Sequence, residues 1–201
     1  MILGMRRWEP NARGRLEQAA MELYTELGFE QTTVAGIAAR AGLTERTFFR
    51  HFADKREVLF SGASELQELI VKTVADAPTS TAPLDAVGAA LEATGPLFEE
   101  RREYAKVRQA VIDGNPELQE RELRKMATLA RAIGSALRDR GVAEPGASLT
   151  AEAGIAVFRV AFERWVAGAD GRTLTEIMRD LLADLAVLTE VRRSPAASAQ
   201  P

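Results

Sequence analysis

The chain lacks cysteine altogether and has one histidine among its 201 residues. Without cysteine there can be no disulfide, no thiolate metal site and no cysteine nucleophile. A single histidine does not favour a zinc or non-haem iron site, so we expect no metal and no cofactor. No apolar run approaches the roughly 20 residues needed to span a membrane. The start, MILGMRRWEP, is too short and too polar for a secretory signal. We therefore expect a cytoplasmic protein without membrane contact.

Sequence signatures of catalysis are absent as well. The chain contains no glycine-rich phosphate loop, no histidine pair at metal-ligand spacing and no G-x-S-x-G element. Isolated acidic pairs are no evidence of catalysis by themselves. We therefore expect no catalytic residues and predict that the protein is not an enzyme.

The charge is weakly negative overall but unevenly placed. Residues 1–60 hold nine Lys/Arg against eight Asp/Glu, while the whole chain has a net charge of -3. Within residues 32–56 the acidic side chains are only Glu45 and Asp54. The cationic residues there are Arg40, Arg46, Arg50, Lys55 and Arg56. Such a local excess is typical of a surface that approaches nucleic acid.

Residues 32–55, TTVAGIAARAGLTERTFFRHFADK, predict two short helices joined by a tight turn. Thr32 or Thr33 can cap the first helix, and Gly42 ends it because glycine tolerates positive φ. Thr44 caps the second helix, which runs from Glu45 to about Phe52.

The second of these helices has two distinct faces. Phe48 and Phe52 are spaced i, i+4 and are expected to face inward, while arginine and hydroxyl side chains occupy the other faces. Asp54 and Glu57 then form a capping box, so a third helix begins at Lys55. This pattern predicts a helix-turn-helix that can enter a major groove.

The residues of this motif carry a more specific resemblance. The run from Thr44 through Phe48, Phe49, Arg50, His51 and Phe52 to Lys55 and Leu59 resembles the signature of the tetracycline-repressor-like (TetR) family of transcriptional regulators. The motif covers about residues 11–60. The family usually has tyrosine where this chain has Phe49, so a phosphate contact through that hydroxyl is absent here.

The resemblance implies an all-α fold of about nine helices. An N-terminal three-helix helix-turn-helix DNA-binding domain would be followed by a C-terminal helical ligand-binding and dimerisation domain. It also implies a homodimeric repressor that a small-molecule effector releases from a palindromic operator. Two alternatives of the same fold stay open: a regulator without a ligand, and one controlled by a protein partner.

Residue chemistry assigns roles within the expected DNA contact. Arg46 and Arg50 can bind guanine bidentately, and the methyl of Thr47 suits the thymine methyl. A solvated helix face would show the same residue types. The ring of Phe49 can pack against the sugar-phosphate backbone. The residues suited to phosphate contact are Thr33, Thr44, His51 and Lys55. A lone histidine on a short helix is usually structural, but His51 lies at the tyrosine or histidine position of the family pattern, and this resemblance implies the phosphate contact.

The domain layout follows from composition and periodicity. We expect a flexible basic arm at 1–10, a DNA-binding domain at 11–56, an effector-binding and dimerisation domain at 57–192 and a disordered tail at 193–201. Arg6 and Arg7 in the arm could reach phosphates or could simply be exposed. The predicted helices run from Asn11 to Leu27, from Lys55 through Val74, from Leu84 to Phe98 with Gly95-Pro96 kinking or ending it, from Arg101 to Ile112 and from Glu117 to Arg140, and AEPGAS is predicted to be a loop.

Two apolar helices near the end of the chain predict an intermolecular four-helix bundle. Their stripes are wider than the rest of the chain readily covers. The alternative is an intramolecular core. The expected dimer-interface residues are Ile155, Phe158, Phe162, Trp165, Leu181, Leu185 and Leu188.

A cavity for a small apolar or amphipathic effector is the least specific expectation. Aromatic residues at helical spacing are also typical of a plain core, and Arg159 and Glu163 are spaced to pair with each other. The expected lining residues are Phe98, Tyr104, Arg108, Met126, Phe158, Arg159, Phe162 and Glu163.

Overall fold

A computed structural model describes residues 11–168 and 171–190, and within these ranges the chain is helical with no strand. It divides into two compact units. Of the described residues, the first unit contains 11–62 together with Val107–Glu120, and the second contains Ala63–Lys106, 121–168 and 171–190. The predicted arm and tail, including Arg6 and Arg7, lie outside the described residues.

The first unit begins with α1 (Ala12–Leu27), α2 (Val34–Arg40), α3 (Glu45–His51) and α4 (Lys55–Leu59). The starts of α2, α3 and α4 follow the predicted caps, and α1 is capped in the same way by Asn11. The side chains of Asn11, Thr33, Thr44 and Asp54 each accept a hydrogen bond from a backbone amide three residues further on. Glycine ends α1 at Gly28, where φ is 81°.

The core of the first unit joins these four helices to a later segment. Residues 107–120 contain the end of α8 (Arg102–Asp113) and the first turn of α9 (Pro116–Asp139). From this segment Ile112 and Leu118 are fully buried. The buried residues of α1 to α4 include Leu16, Leu23, Ile37, Phe48, Phe52 and Leu59.

The second unit is built from α5 (Ala63–Asp76), α6 (Pro83–Glu92), α7 (Gly95–Glu99), α10 (Gly146–Ala167) and α11 (Leu174–Glu190), with the remaining parts of α8 and α9. Helix α6 packs against α5, α10 and α11. Glycine permits the close approach of α6 and α10, because a Cβ on Gly154 would lie 2.5 Å from Val87 Cγ1. None of the helices within the described ranges is long and apolar enough to cross a membrane.

Three predicted elements are corrected by the structure. The helix from Lys55 does not continue through Val74: it ends at Leu59, and α5 begins at Ala63 after Gly62, whose φ of 88° is left-handed. With the division of a second predicted helix described below, eleven helical segments occupy the described ranges, against the expected number of about nine.

The other two corrections concern proline. The predicted Leu84–Phe98 helix is two helices, because Pro96 occupies the first turn of α7, where its missing N–H costs nothing. The stretch AEPGAS is not wholly a loop, since α10 already begins at Gly146 after Pro145.

Candidate nucleic-acid interface

The turn between α2 and α3 fixes the direction of the second helix. Gly42 has a φ of 66°. Its amide donates to Ala39 O at 3.0 Å, and the amide of Leu43 donates to Ala38 O at 2.8 Å. This pair of bonds is the Schellman arrangement, which needs a left-handed residue between the helices. The guanidinium of Arg15 on α1 donates to the carbonyl of Ala41, which ties the turn to α1.

The inner face of α3 is fixed by two aromatic rings. Phe48 is fully buried and Phe52 is 3% exposed. Their ring centroids are 5.4 Å apart, so the predicted inward-facing i, i+4 pair is confirmed. At the start of the helix Thr44 Oγ1 accepts from the Thr47 amide at 3.2 Å and lies 3.1 Å from Thr47 Oγ1. The orientation of α3 is therefore set on two sides.

The outward face of α3 carries Glu45, Arg46, Phe49 and Arg50, all exposed. Arg46 and Arg50 make no hydrogen bond or ion pair with any residue that the structure describes. The helix is seven residues long, which is about 10 Å at 1.5 Å per residue. With its side chains an α-helix is about 10 to 12 Å across, which fits a major groove about 12 Å wide. Both guanidinium groups are free to bind an external acceptor.

Other cations of the motif are already neutralised by acidic residues distant in sequence. Arg40 on α2 binds Glu26 of α1 through both terminal nitrogens, at 2.9 and 2.7 Å, and Glu22 at 3.3 Å. Arg56 on α4 pairs with Glu117 at 2.9 Å. The expectation that only Glu45 and Asp54 oppose these cations is therefore wrong, because folding brings α1 and residues 107–120 beside them.

Lys55 is held inside the first unit. Its Nζ donates to the carbonyls of Phe29, Glu30 and Thr32 at 2.7, 3.1 and 2.9 Å, and it lies 4.5 Å from the centre of the Phe29 ring. The Lys55 carbonyl in turn accepts from the hydroxyl of Tyr24 at 2.5 Å. An ammonium group has three donors, and all three have acceptors here. This geometry makes Lys55 a link between α4 and the loop after α1.

Thr33 and His51 lie beside the outward face of α3 and differ in their hydrogen bonding and burial. Thr33 Oγ1 accepts from the Gly36 amide at 3.0 Å, which leaves its hydroxyl hydrogen available to an external acceptor. His51 is half-buried, and its Nε2 is buried with no hydrogen-bond partner among the described residues. Burial, followed by the charges of Arg50 and Arg13, holds the pKa of His51 below its usual value. The imidazole is therefore neutral at pH 7.

An all-α chain with a rigidly capped helix-turn-helix and two free arginines on its second helix is a DNA-binding protein of the helix-turn-helix class. Residues 17–61 match the family model described as bacterial regulatory proteins of the tetR family, and residues 81–189 match the one described as the MftR C-terminal domain. The chain belongs to the TetR family of transcriptional regulators. The predicted fold class, an N-terminal helix-turn-helix followed by a helical C-terminal domain, is thereby confirmed.

Individual relatives resemble the chain in part or in fold. The HTH-type transcriptional regulator TcmR of Streptomyces glaucescens is 38% identical over 81 residues, which are 40% of this chain and 36% of that protein. A TetR-family regulator structure from Syntrophomonas wolfei is 14% identical, with a TM-score of 0.66 over 94% of this chain and 98% of that one. The FadR repressor of Thermus thermophilus, solved with lauroyl-CoA, is 22% identical with a TM-score of 0.52, over 94% of this chain and 99% of that one. The two structures show the fold alone.

The residues expected to line an effector cavity are not all brought together. Phe98, Phe158 and Phe162 do meet, with ring centroids 5.5 to 5.9 Å apart, and Trp165 joins them. Met126 packs against the same core of the second unit. The rings pack on one another as core residues do.

The polar residues expected in that cavity lie elsewhere. Arg108 belongs to the first unit, where its Nε donates to Leu59 O at 2.7 Å. Its guanidinium also lies 5.2 Å from the Phe60 ring, so it binds the end of α4. Arg159 and Glu163 are exposed and do not pair with each other in the part of the chain that the structure describes. Tyr104 lies under the guanidinium of Arg101, 4.2 Å from its ring centre.

The expected dimer-interface residues divide by burial. Trp165 is fully buried, and Phe158 and Ile155 are 4% and 8% exposed within the core of the second unit. These three side chains are covered almost completely within one chain, as the alternative of an intramolecular core expects. Phe162, Leu181 and Leu185 are half-buried, whereas Leu188 is 71% exposed.

A second apolar stripe on α10 was missed by sequence reasoning. It is defined by Leu149, Ala153, Ala156 and Val160, which recur at spacings of four, three and four on one helix face. Leu149 is 66% exposed and Val160 38% exposed. The apolar periodicity of this stripe is visible in the sequence, but the buried stripe of the same helix has larger side chains and was the one that sequence reasoning identified. On α11 the exposed apolar residues are Ala183, Ala186, Val187 and Leu188.

Partly buried polar contacts at the end of α10 were also not predicted from the sequence. Glu99 Oε1 accepts from Trp165 Nε1 and from the Leu174 amide, both at 2.7 Å. Arg102 donates to Trp165 O at 3.1 Å and lies 5.3 Å from the Trp165 ring. These bonds join α7, α8, α10 and α11, and no local sequence pattern could have paired residues more than 60 positions apart.

Proposed function

We propose that the chain is a homodimeric transcriptional repressor that binds a pseudo-palindromic DNA operator and is released from it by a small-molecule effector. The observation that carries the DNA-binding part is the state of Arg46 and Arg50. They are unpaired cations on the exposed face of a helix whose opposite face is fixed by Phe48 and Phe52. The charges of Arg40 and Arg56, by contrast, are neutralised by ion pairs within the chain.

Within the proposed complex, α3 lies in the major groove. Arg46 and Arg50 donate to guanine O6 and N7, and the Thr47 methyl contacts a thymine. Phosphates are bound at the edges of the groove by the hydroxyls of Thr33 and Thr44 and by His51. Because Nε2 of His51 is buried, its phosphate contact is made through Nδ1. We leave Lys55 out of the phosphate contacts because its donors are occupied.

Dimerisation is proposed to bury the exposed stripe of α10 together with the exposed apolar residues of α11. Leu149 and Leu188 are large apolar side chains that water solvates poorly, and they are 66% and 71% exposed. A two-fold dimer doubles the DNA contacts and predicts half-sites about 10 base pairs apart, or a multiple of that. Such a protein acts where the chromosome is, which agrees with the cytoplasmic location expected from the sequence.

The dimer is tested by placing a charge on the stripe. Val160→Asp should convert the protein to monomers in sedimentation at micromolar concentration, because the carboxylate would be buried unpaired. Leu97→Asp is the control, since Leu97 is likewise an exposed apolar residue, 52% exposed against 38% for Val160, but lies on α7. Identical sedimentation of both variants and the wild type would contradict the proposed surface.

An apolar or amphipathic effector is proposed to enter beside the half-buried members of the aromatic cluster, Phe98 and Phe162, with Met126 nearby. The T. thermophilus FadR structure contains lauroyl-CoA, which supports testing acyl-CoA esters among the first compounds. The ring-on-ring packing of this cluster favours the alternative, a regulator without a ligand, because an effector would have to displace it. Operator complexes that resist every compound in a panel of fatty acids, acyl-CoA esters and aromatic compounds would favour that alternative.

The proposal as a whole is tested on the DNA immediately upstream of the chain's own gene. Saturable binding to a short near-palindrome in a mobility-shift assay is the expected result. If the protein binds neither this DNA nor any member of a pool of genomic fragments, the regulator proposal fails.

A further inference from the structure

Phe49 is the one aromatic residue within the described ranges whose side chain is exposed. It is 56% exposed, and every other exposed large apolar side chain described there is leucine or valine. It lies on the outward face of α3, three residues after Arg46 and next to Arg50. A large apolar ring exposed to water between two unpaired arginines indicates a surface that is covered on binding.

The ring cannot turn inward, because its place in the core is already filled. Phe48, fully buried, meets the ring of Phe49 edge to face at 5.5 Å and 86°. Phe48 is itself packed on Phe52. Phe49 is therefore presented outward from a rigid base, and little conformational entropy is lost when it is covered.

The chemistry of the groove restricts what can cover this ring. With Arg46 and Arg50 beside it, the face of α3 is complementary to the negative potential of DNA. Phenylalanine has no donor or acceptor, so it cannot read the hydrogen-bonding edges of the bases. The apolar group that base pairs present in the major groove is the C5-methyl of thymine.

We infer that Phe49 is a specificity-determining residue that contacts the C5-methyl of one thymine in each operator half-site. This inference rests on the proposed function, because it requires α3 to lie in the major groove. It differs from packing of the ring against the sugar-phosphate backbone, which would carry no sequence information.

The test removes single methyl groups from the DNA. An operator is first selected with the wild-type protein from a library of random duplexes. Each thymine is then replaced in turn by deoxyuridine, which keeps the base-pairing hydrogen bonds and lacks only the methyl. Wild type, Phe49→Ala, Phe49→Leu and Thr47→Ser are compared on every duplex. Leu27→Ala is the matched control, because Leu27 is 54% exposed but lies at the end of α1.

At one thymine per half-site we expect the wild type to bind the deoxyuridine duplex about fourfold more weakly, and about fifteenfold more weakly when both half-sites are changed. Phe49→Ala should bind both duplexes equally at this position, while Phe49→Leu keeps part of the difference. Thr47→Ser and Leu27→Ala should retain the full difference there. Thr47→Ser distinguishes this thymine from the one assigned to the Thr47 methyl.

Two results would overturn the inference, and they are distinguishable. If the wild type binds the operator but Phe49→Ala retains every deoxyuridine effect, the ring does not read a methyl and packing on the backbone replaces the inference. If no duplex is selected from the library at all, the proposed function fails and the inference fails with it. Thermal unfolding of Phe49→Ala and Phe49→Leu at the wild-type temperature excludes misfolding as the cause of any loss.

Discussion

Replacing Lys55 by methionine separates a structural role from a phosphate contact. The change keeps most of the aliphatic stem and removes the ammonium group, which donates to Phe29 O, Glu30 O and Thr32 O. Two of these bonds are partly buried and contribute about 1 kcal/mol each. The contact with the Phe29 ring adds about 0.5 to 1 kcal/mol. We therefore expect Lys55→Met to lower the free energy of unfolding of the first unit by about 2 to 3 kcal/mol.

The assay is urea unfolding followed by circular dichroism, combined with hydrogen exchange of the amides in residues 12–59. Arg56→Met is the matched control on the same helix. Its ion pair with Glu117 is exposed on both sides, so its loss should cost about 0.2 to 1 kcal/mol.

The opposite outcome would refute this assignment. If Lys55→Met leaves the unfolding free energy within about 0.5 kcal/mol of wild type and instead weakens operator binding, Lys55 is a phosphate contact. In that case the slope of log affinity against log salt would fall by about 1 for each subunit.

Two further predictions concern the histidine and a close helix contact. His51 is the chain's one histidine, and its pKa in the free protein lies below 6.5, so stability should decline as the pH falls below about 6.5. A phosphate at Nδ1 would raise the pKa of His51, so operator affinity should increase from pH 8 to pH 6. His51→Gln should abolish this increase. If NMR shows that DNA leaves the imidazole pKa unchanged, the phosphate contact is contradicted. Gly154→Ala should destabilise the second unit by about 1 to 3 kcal/mol in thermal unfolding, because the added Cβ would meet Val87. Gly114→Ala is the control and should not destabilise, because its added Cβ would have no neighbour nearer than 3.5 Å. Equal unfolding temperatures of the two variants would refute the close contact.

Local sequence signals predicted the helix starts well. Thr33, Thr44 and Asp54 each act within three residues, so a single stretch of sequence contains both partners of each bond. The inward pair of Phe48 and Phe52 follows from helical spacing for the same reason.

Helix ends and ion pairs were predicted less well because they depend on distant residues. The sole local sequence signal for the end of α4 at Leu59 is Gly62. The Leu59 carbonyl is bound by Arg108, which lies 49 residues away in the sequence. Similarly, the acids that neutralise Arg40 lie on α1. Counting charges along the sequence therefore overestimated the number of cations available to DNA.

The apolar stripes of the C-terminal helices show a different limit. Periodicity identifies a face that needs cover, but it does not say whether the cover comes from the same chain or from a second copy. The stripe containing Trp165 is covered within the second unit, so the smaller stripe at Leu149 and Val160 is left exposed. Only the packed structure distinguishes the two.

The most direct measurement is the affinity of Arg46→Ala and Arg40→Ala for one selected operator and for variants of it with a single base pair changed. Both residues are exposed arginines of the helix-turn-helix, but Arg46 is unpaired and Arg40 is bound by Glu22 and Glu26. We predict that Arg46→Ala loses about 1 to 3 kcal/mol and no longer discriminates at one position of each half-site. Arg40→Ala should bind within about twofold of wild type. Equal losses in the two variants, or undiminished discrimination by Arg46→Ala, would contradict the assignment of α3 as the base-reading helix.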